Sequence, residues 1–279
     1  MIEYNNFKYK IYDAHTHWSK LMSKILKPLL ELLSTNEILD ITYEKWNFIK
    51  KKAKNKIELK ILMYKEILDY YGIDKSNILP VFQFDVDFSI LCQKYFPERI
   101  VGFGALKPRD KEENLLKRFN FLKQNHVKGI KLHAQYNKFN VKIHQREITR
   151  VLELISENKM IALFHSGSHY DIKDLAPILK KIDDIPIILG HSGLAPQVDQ
   201  AINLAIQFSN VYLETSGQPY DYLIEYMVKN PNIGVERVIF GSDLPTLDPT
   251  FEMMKILTLS ISESEKQLIF YDNMQKLLK

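Results

Sequence analysis

Val127-Lys128-Gly129-Ile130-Lys131-Leu132-His133 is a short β-rich run that ends on a histidine, and the rest of the chain reads outward from it. Its apolar residues span too few positions for a helix, whereas the stretches on either side carry helical spacing. Seven further runs alternate with helical stretches in the same way: Lys10 to Asp13, Ile78 to Phe82, Ile100 to Leu106, Met160 to Phe164, Ile185 to Leu189, Val211 to Leu213 and Val238 to Phe240. With Val127 to Leu132 they make eight strands separated by helices. Over about 250 residues this predicts an α/β fold, a TIM (β/α)8 barrel, regular or distorted, rather than an open doubly wound sheet. No G-x-G-x-x-G or Walker sequence follows any run, so nucleotide-phosphate loops are not expected.

The pattern fills residues 1–279 without an internal repeat, a low-complexity stretch or a Gly/Ser linker, so one domain is expected. Trp18 to Asn77 stands outside it. This stretch of about 18–77 is rich in Leu, Ile, Lys and Glu and has helical spacing, as in Lys56 to Tyr71. It predicts a helical insertion after the first strand, either a lid on the catalytic face or packing on the outside of the barrel.

The 38 Lys and Arg against 34 Asp and Glu leave a net charge of +4, with no basic stripe, so nucleic acid is not an expected partner. Cys92 is the single cysteine, which rules out an intrachain disulfide and thiolate metal clusters and makes a cytoplasmic location the expectation. No apolar run approaches the roughly 20 residues that cross a bilayer, and neither a membrane span nor a signal peptide is expected. A small molecule is the expected partner, and the outer helices of a barrel can support a homodimer.

Polar residues gather where the strands end. His15 and His17 close the first run, His133 the fourth, His165 the fifth and His191 the sixth, and Asp243 follows the eighth. All strand C-termini of a barrel surround one mouth, so these residues would converge in space. Alternate strand residues share a face, which pairs His15 with His17 and Lys131 with His133. Imidazoles and a carboxylate suit Zn²⁺ and similar ions, whose bound water becomes a nucleophile near neutral pH. His191 is the candidate base, and Asp243 can both touch the ion and relay protons. Arg109 and His169, in loops after the third and fifth strands, can grip a substrate carboxylate or stand in solvent. His126, His144 and Cys92 are assigned to surface or core packing.

At Asp13-Ala14-His15-Thr16-His17, Gly129-Ile130-Lys131-Leu132-His133, Phe164-His165-Ser166-Gly167, Gly190-His191-Ser192-Gly193 and Phe240-Gly241-Ser242-Asp243-Leu244-Pro245 the sequence resembles the amidohydrolase superfamily. The similarity is to the branch of amidohydrolase-related proteins that includes aminocarboxymuconate semialdehyde decarboxylase and related aromatic-acid decarboxylases. Asp272-Asn273-Met274 is similar to the closing helix of that family. The resemblance implies that His15, His17, His165 and Asp243 ligate one divalent metal, commonly zinc, with manganese or iron also accepted. It implies that His191 activates the metal-bound water or orients the substrate, and that Lys131 and His133 line the substrate pocket. Binuclear members carboxylate a fourth-strand lysine, whereas this branch usually has one metal, which favours a mononuclear site here.

Three functions are weighed. The leading one is a metal-dependent hydrolase acting on a C–N or C–O bond of an amide, lactam, lactone or ester. The alternative is a metal-dependent decarboxylase of an unsaturated or aromatic acid. No arginine lies between His17 and Asn77, where the named decarboxylase uses one to hold its substrate, and this counts against that alternative. Lys20, Lys24, Arg109 and Lys131 are the substitutes on offer. The third is a metal-stabilised barrel that binds without chemistry, which the complete set of usable residues disfavours.

Overall fold

In the computed structural model, which describes residues 1–19, 50–80 and 82–279, parallel strands alternate with helices. A hairpin precedes them: β1 (Ile2–Tyr4) pairs antiparallel with β2 (Phe7–Tyr9). Its two-residue turn, Asn5-Asn6, has φ of 49° and 64°, a conformation that asparagine tolerates and that suits the twist of a tight hairpin. β3 (Tyr12–Thr16), β4 (Lys75–Ile78) and β5 (Ile100–Gly102) form one parallel sheet. The other runs β6 (Gly104–Ala105), β7 (Gly129–Leu132), β8 (Ile161–His165), β9 (Ile187–Gly190), β10 (Val211–Glu214) and β11 (Val238–Ile239), also parallel.

The expected third strand, Ile100 to Leu106, is thus broken in two. Phe103 still donates its N–H to Ile78 O at 3.0 Å, and the chain then bends between Gly102 and Gly104 to join the larger sheet. On the opposite side Ala14 N–H donates to Phe240 O at 3.0 Å, and Thr16 and Leu244 bridge in parallel. Pairing therefore returns from the end of the last strand to the first, giving a TIM barrel with distorted seams.

Strand alternation places the core and the site together. Ile161, Leu163, Ile188, Ile239 and Phe103 fill the interior, while Ala162, Phe164, Ile187 and Leu189 face the helices. Continuing the inward phase up each strand leads to Lys131, His165 and Glu214. In β3, Tyr12 and Ala14 belong to the interior, one residue out of phase with His15 and His17. The register of β3 against β4 shifts between Asp13 and Thr16, and this irregularity re-aims the pair.

Of the expected insertion, residues 20–49 lie outside the described residues. The helix Lys56–Tyr70 is the crossover from β3 to β4, started by Asn55, whose side chain accepts the N–H groups of Ile57 and Glu58 at 2.9 Å each. It buries Ile61, Tyr64 and Leu68, and the Tyr64 hydroxyl reaches Thr16 Oγ1 at 2.6 Å and Ser76 Oγ at 2.7 Å. Among the described residues no helix is long and apolar enough to cross a membrane.

Interior packing leaves no slack at Gly129. A Cβ added there would lie 2.2 Å from Cε1 of the fully buried Phe103. Gly129→Ala is expected to cost about 1–3 kcal/mol through overpacking, read as a lower urea midpoint with an unchanged slope. A midpoint equal to that of the wild type would contradict this packing account.

Candidate metal centre

His15 and His17 meet at the mouth of the barrel with their Nε2 atoms 3.1 Å apart. Their tautomers follow from what the other ring nitrogens touch. His15 Nδ1 lies 2.6 Å from a Glu214 carboxylate oxygen, and His17 Nδ1 lies 2.8 Å from Leu79 O. Both partners only accept, so both Nδ1 atoms carry the proton and both Nε2 lone pairs face inward. Asp243 Oδ1 stands 3.2 Å from His17 Nε2 and 3.7 Å from His15 Nε2. Two lone pairs and a carboxylate oxygen gathered at such spacing call for positive charge, of which the Lys131 ammonium supplies one part, 2.9 Å from His15 Nε2. An ion with bonds of about 2.0–2.2 Å sets its ligands at about this separation, so the residues fit a divalent metal.

Burial acts on these groups in opposite directions. It raises the Asp243 carboxyl, but the adjoining His17, His15 and His191 rings outweigh it and hold the group below the ordinary carboxylate range. Burial, with Lys131 and His191 nearby, holds His15 well below its ordinary value, which leaves it neutral and able to ligate. Asp243 sits at φ 57°, its N–H donating to His15 O at 2.7 Å.

Behind His15 lies Glu214, fully buried at the end of β10. Besides His15 Nδ1 it accepts from the His191 N–H at 2.9 Å, the Ser216 N–H at 2.6 Å and the Ser216 hydroxyl at 2.9 Å. Such a carboxylate fixes the ring of a ligating histidine and raises its basicity. Gly241 makes room for it: a Cβ there would lie 2.3 Å from Glu214 Oε1. Asp13 plays a parallel part under the loop that carries Asp243, accepting from Ser242 Oγ at 2.5 Å and from the N–H groups of Ser242 and His15 at 3.0 and 3.1 Å. Burial pushes the Asp13 carboxyl up to about 7 despite those bonds.

His191 follows β9 with its ring 4.5 Å from that of His15. The Ser216 hydroxyl donates to Glu214, so it accepts from His191 Nδ1–H at 2.9 Å, and His191 Nε2 is left as the working atom. Lys131 is buried with Nζ 2.9 Å from His15 Nε2, and burial lowers its ammonium to about 8.

The remaining expected residues are placed unevenly. His165 lies one ring away from the ligand set, 4.8 Å from His191 between centroids, with Nε2 engaged by Ser168 Oγ at 2.9 Å. His133 and His165 stack at 4.1 Å with planes 15° apart. Donor atoms of His133, His165 and the exposed His169 lie within 4.8 Å of one another. The in-plane lone pairs of two stacked rings run side by side, however, so this trio suits a ring wall better than a metal. His133 is neutral, its imidazole lowered by burial to about 3, and its buried Nδ1 has no hydrogen-bond partner. Arg109 is exposed in the turn after β6 and makes no ion pair among the described residues. Sequence reasoning missed Glu214, Ser216 and two aromatic residues: Tyr136 packs 4.3 Å from His133, and Phe82 packs 4.8 Å from Tyr136.

The buried imidazoles make the metal-free protein acid-labile. His15, His133, His165 and His191 all titrate below the ordinary histidine range, chiefly through burial. Their neutral forms stabilise the fold fully above the unfolded value of about 6.5, and this stabilisation is lost as pH falls. Asp13, raised to about 7, works oppositely but supplies one proton against four. Each unmatched proton tilts stability by about 1.4 kcal/mol per pH unit. The urea midpoint of chelator-treated protein should therefore fall steadily between about pH 6.5 and 5. A midpoint that is flat or rising over that range would contradict the assignment.

The family model described as Amidohydrolase matches residues 12–279. No curated protein matches the sequence. Among solved structures, an uncharacterised TIM-barrel protein from Bordetella bronchiseptica superposes with a TM-score of 0.68 at 16% identity, covering 96% of this chain and 98% of that one. A 5-carboxyvanillate decarboxylase from Novosphingobium aromaticivorans, with bound manganese and 3-methoxy-4-hydroxy-5-nitrobenzoic acid, gives 0.65 at 13% identity, covering 97% of each chain. A 4-oxalomesaconate hydratase from Rhodopseudomonas palustris gives 0.64 at 15% identity, covering 96% of this chain and 95% of that one.

Proposed function

Because this chain belongs to the amidohydrolase family, we propose that it is a metal-dependent carboxy-lyase that removes CO₂ from a planar aromatic or unsaturated carboxylic acid. One divalent ion would be held by His15, His17 and Asp243, with His165 joining them once its ring turns from Ser168. Zinc and manganese both accept such a nitrogen and oxygen set. The observation that carries the reading is the ring wall beside these residues, running from Phe82 through Tyr136 to His133. A flat conjugated substrate gains from stacking on it. The structurally similar 5-carboxyvanillate decarboxylase, which bound manganese and a substituted benzoic acid, supports the same choice.

When bound, the ion supplies positive charge that grips a substrate oxygen and steadies negative charge built up beside it. Lys131 adds a buried ammonium for the anionic group of the substrate, in place of the arginine the insertion lacks. The unpartnered His133 Nδ1 is available to a polar substituent on the ring. In the reaction the bond between the substrate carbon and its carboxyl carbon breaks, CO₂ leaves, and the electron pair is taken by a proton arriving at the same carbon. Asp243 stays ionised, so the proton is held at His191 Nε2, where Glu214 steadies the imidazolium through Ser216.

A panel assay tests this. Metal-loaded protein is incubated with hydroxylated benzoic acids and unsaturated acids, and in parallel with matched amides, lactones and esters. Release of CO₂ from an acid is expected. Hydrolysis of an amide or lactone without CO₂ release from any acid would establish the hydrolytic reading, which the same His191 and Asp243 could serve as base and relay.

A further inference from the structure

His191 and Ser192 have φ of 67° and 43°, and Leu194 has 50°, a run of left-handed residues that are not glycine. Each such residue is strained and persists only where its surroundings over-determine it. Part of the restraint comes from groups already described, with the His191 N–H on Glu214. The carbonyls on the other side meet one side chain, beside the Leu194 N–H that also donates to His191 O. Gln218 Nε2 donates to His191 O at 2.5 Å and to Ser192 O at 3.2 Å. Gln218 is 1% exposed, and its Oε1 is buried without a hydrogen-bond partner. Burying an unpaired amide oxygen is unfavourable, so the side chain is of use here for its two donors rather than for stability.

Gln218 is itself braced from outside the barrel. Lys255 Nζ donates to Gln218 O at 2.8 Å and pairs with the buried Glu252 at 2.5 Å, and Glu252 accepts the Gly217 N–H at 3.1 Å. Ser216, which receives His191 Nδ1–H, lies in the same loop. The loop after β10 thus grips His191 at its ring through Ser216 and at its backbone through Gln218.

We propose that Gln218 is a positioning residue: by holding the carbonyls of His191 and Ser192 it locks the left-handed turn that presents His191 Nε2 to the reacting centre. Its kinetic consequence rests on the carboxy-lyase reading; its structural consequence does not. Gln218→Met and Gln218→Leu fill nearly the same space but offer no donor, so a role in packing alone would survive both.

The first measurement is the ring-nitrogen ¹⁵N shifts of histidine-labelled, zinc-loaded protein, with His191→Asn assigning the His191 signals. In the wild type His191 should show protonated Nδ1 and bare Nε2. In both variants it should show mixed tautomers, while His15 keeps its pattern and the thermal midpoint moves by only a few degrees. In the second measurement, on whichever acid the wild type decarboxylates, kcat should fall about 10- to 100-fold with KM within about twofold. Unchanged His191 shifts in both variants would overturn the proposal. So would a collapse of the His15 and His191 patterns together with the thermal midpoint, which would make Gln218 merely structural. Altered His191 shifts in a protein that decarboxylates nothing would uphold the positioning role while removing the carboxy-lyase reading.

Discussion

Asp243→Asn is expected to leave the purified protein with less than about a tenth of its metal and to lower turnover at least about 1,000-fold. The substitution suits the backbone, since asparagine and aspartate are the residues best able to hold φ near the 57° found here. The N–H of residue 243 would still reach His15 O. What disappears is the negative charge beside two neutral imidazoles. A dication held by His15, His17 and a neutral amide lacks its compensating charge. Metal content by mass spectrometry and thermal unfolding of the same sample separate the effects. A folded variant that keeps a full complement of metal and more than a tenth of the activity would refute the assignment of Asp243.

Glu214→Gln is expected to weaken metal affinity about 10- to 100-fold although residue 214 touches no ion. Both oxygens of Glu214 accept, from His15 Nδ1, Ser216 and the His191 N–H. A glutamine must turn its NH₂ toward one of those donors. If it turns toward His15, the ring is driven to the opposite tautomer, with a proton on Nε2 and no lone pair for the ion. If it turns the other way, the Ser216 N–H is left facing an NH₂, and the loop that holds the Ser216 hydroxyl against His191 is loosened. The site is fully buried, so the unsatisfied donor also costs roughly 1–3 kcal/mol of stability. A competition titration with a zinc chelator reads the first effect and urea unfolding the second. Affinity within twofold of the wild type would show that the His15 tautomer is set elsewhere.

The strand ends were readable because a barrel imposes two regularities on its sequence: short β-rich runs with period-two facing, and convergence of everything that follows them. His191 and Asp243 come together through those regularities, and His15 and His17 join them because the register shift in β3 turns the pair inward. Glu214 obeys the same rule, but the apolar run before it ends at Leu213, and a lone glutamate there looks like a solvated side chain. Only the inward phase set by Tyr212 and continued in Glu214 could have marked it. The β1–β2 hairpin escaped because its strands are three residues long, although Asn5-Asn6 carried a turn signal. The break at Phe103 depends on which sheet each half pairs with, a tertiary matter that no local pattern records. The ring wall was hidden for a similar reason, since Phe82 and Tyr136 come from loops after different strands.

The absence of a side chain at Gly241 has a consequence for how sequences of this kind can diverge. While Glu214 is present, any residue larger than glycine at 241 collides with it, so a single change at 241 disables the centre. Shortening residue 214 first removes only one of two obstacles, since a Cβ at 241 would also lie 2.8 Å from His15 Cβ, and it gives up the group that orients His15. The two positions therefore cannot drift independently: Glu214 holds residue 241 to glycine, and the close approach of His15 keeps it there even after 214 has changed.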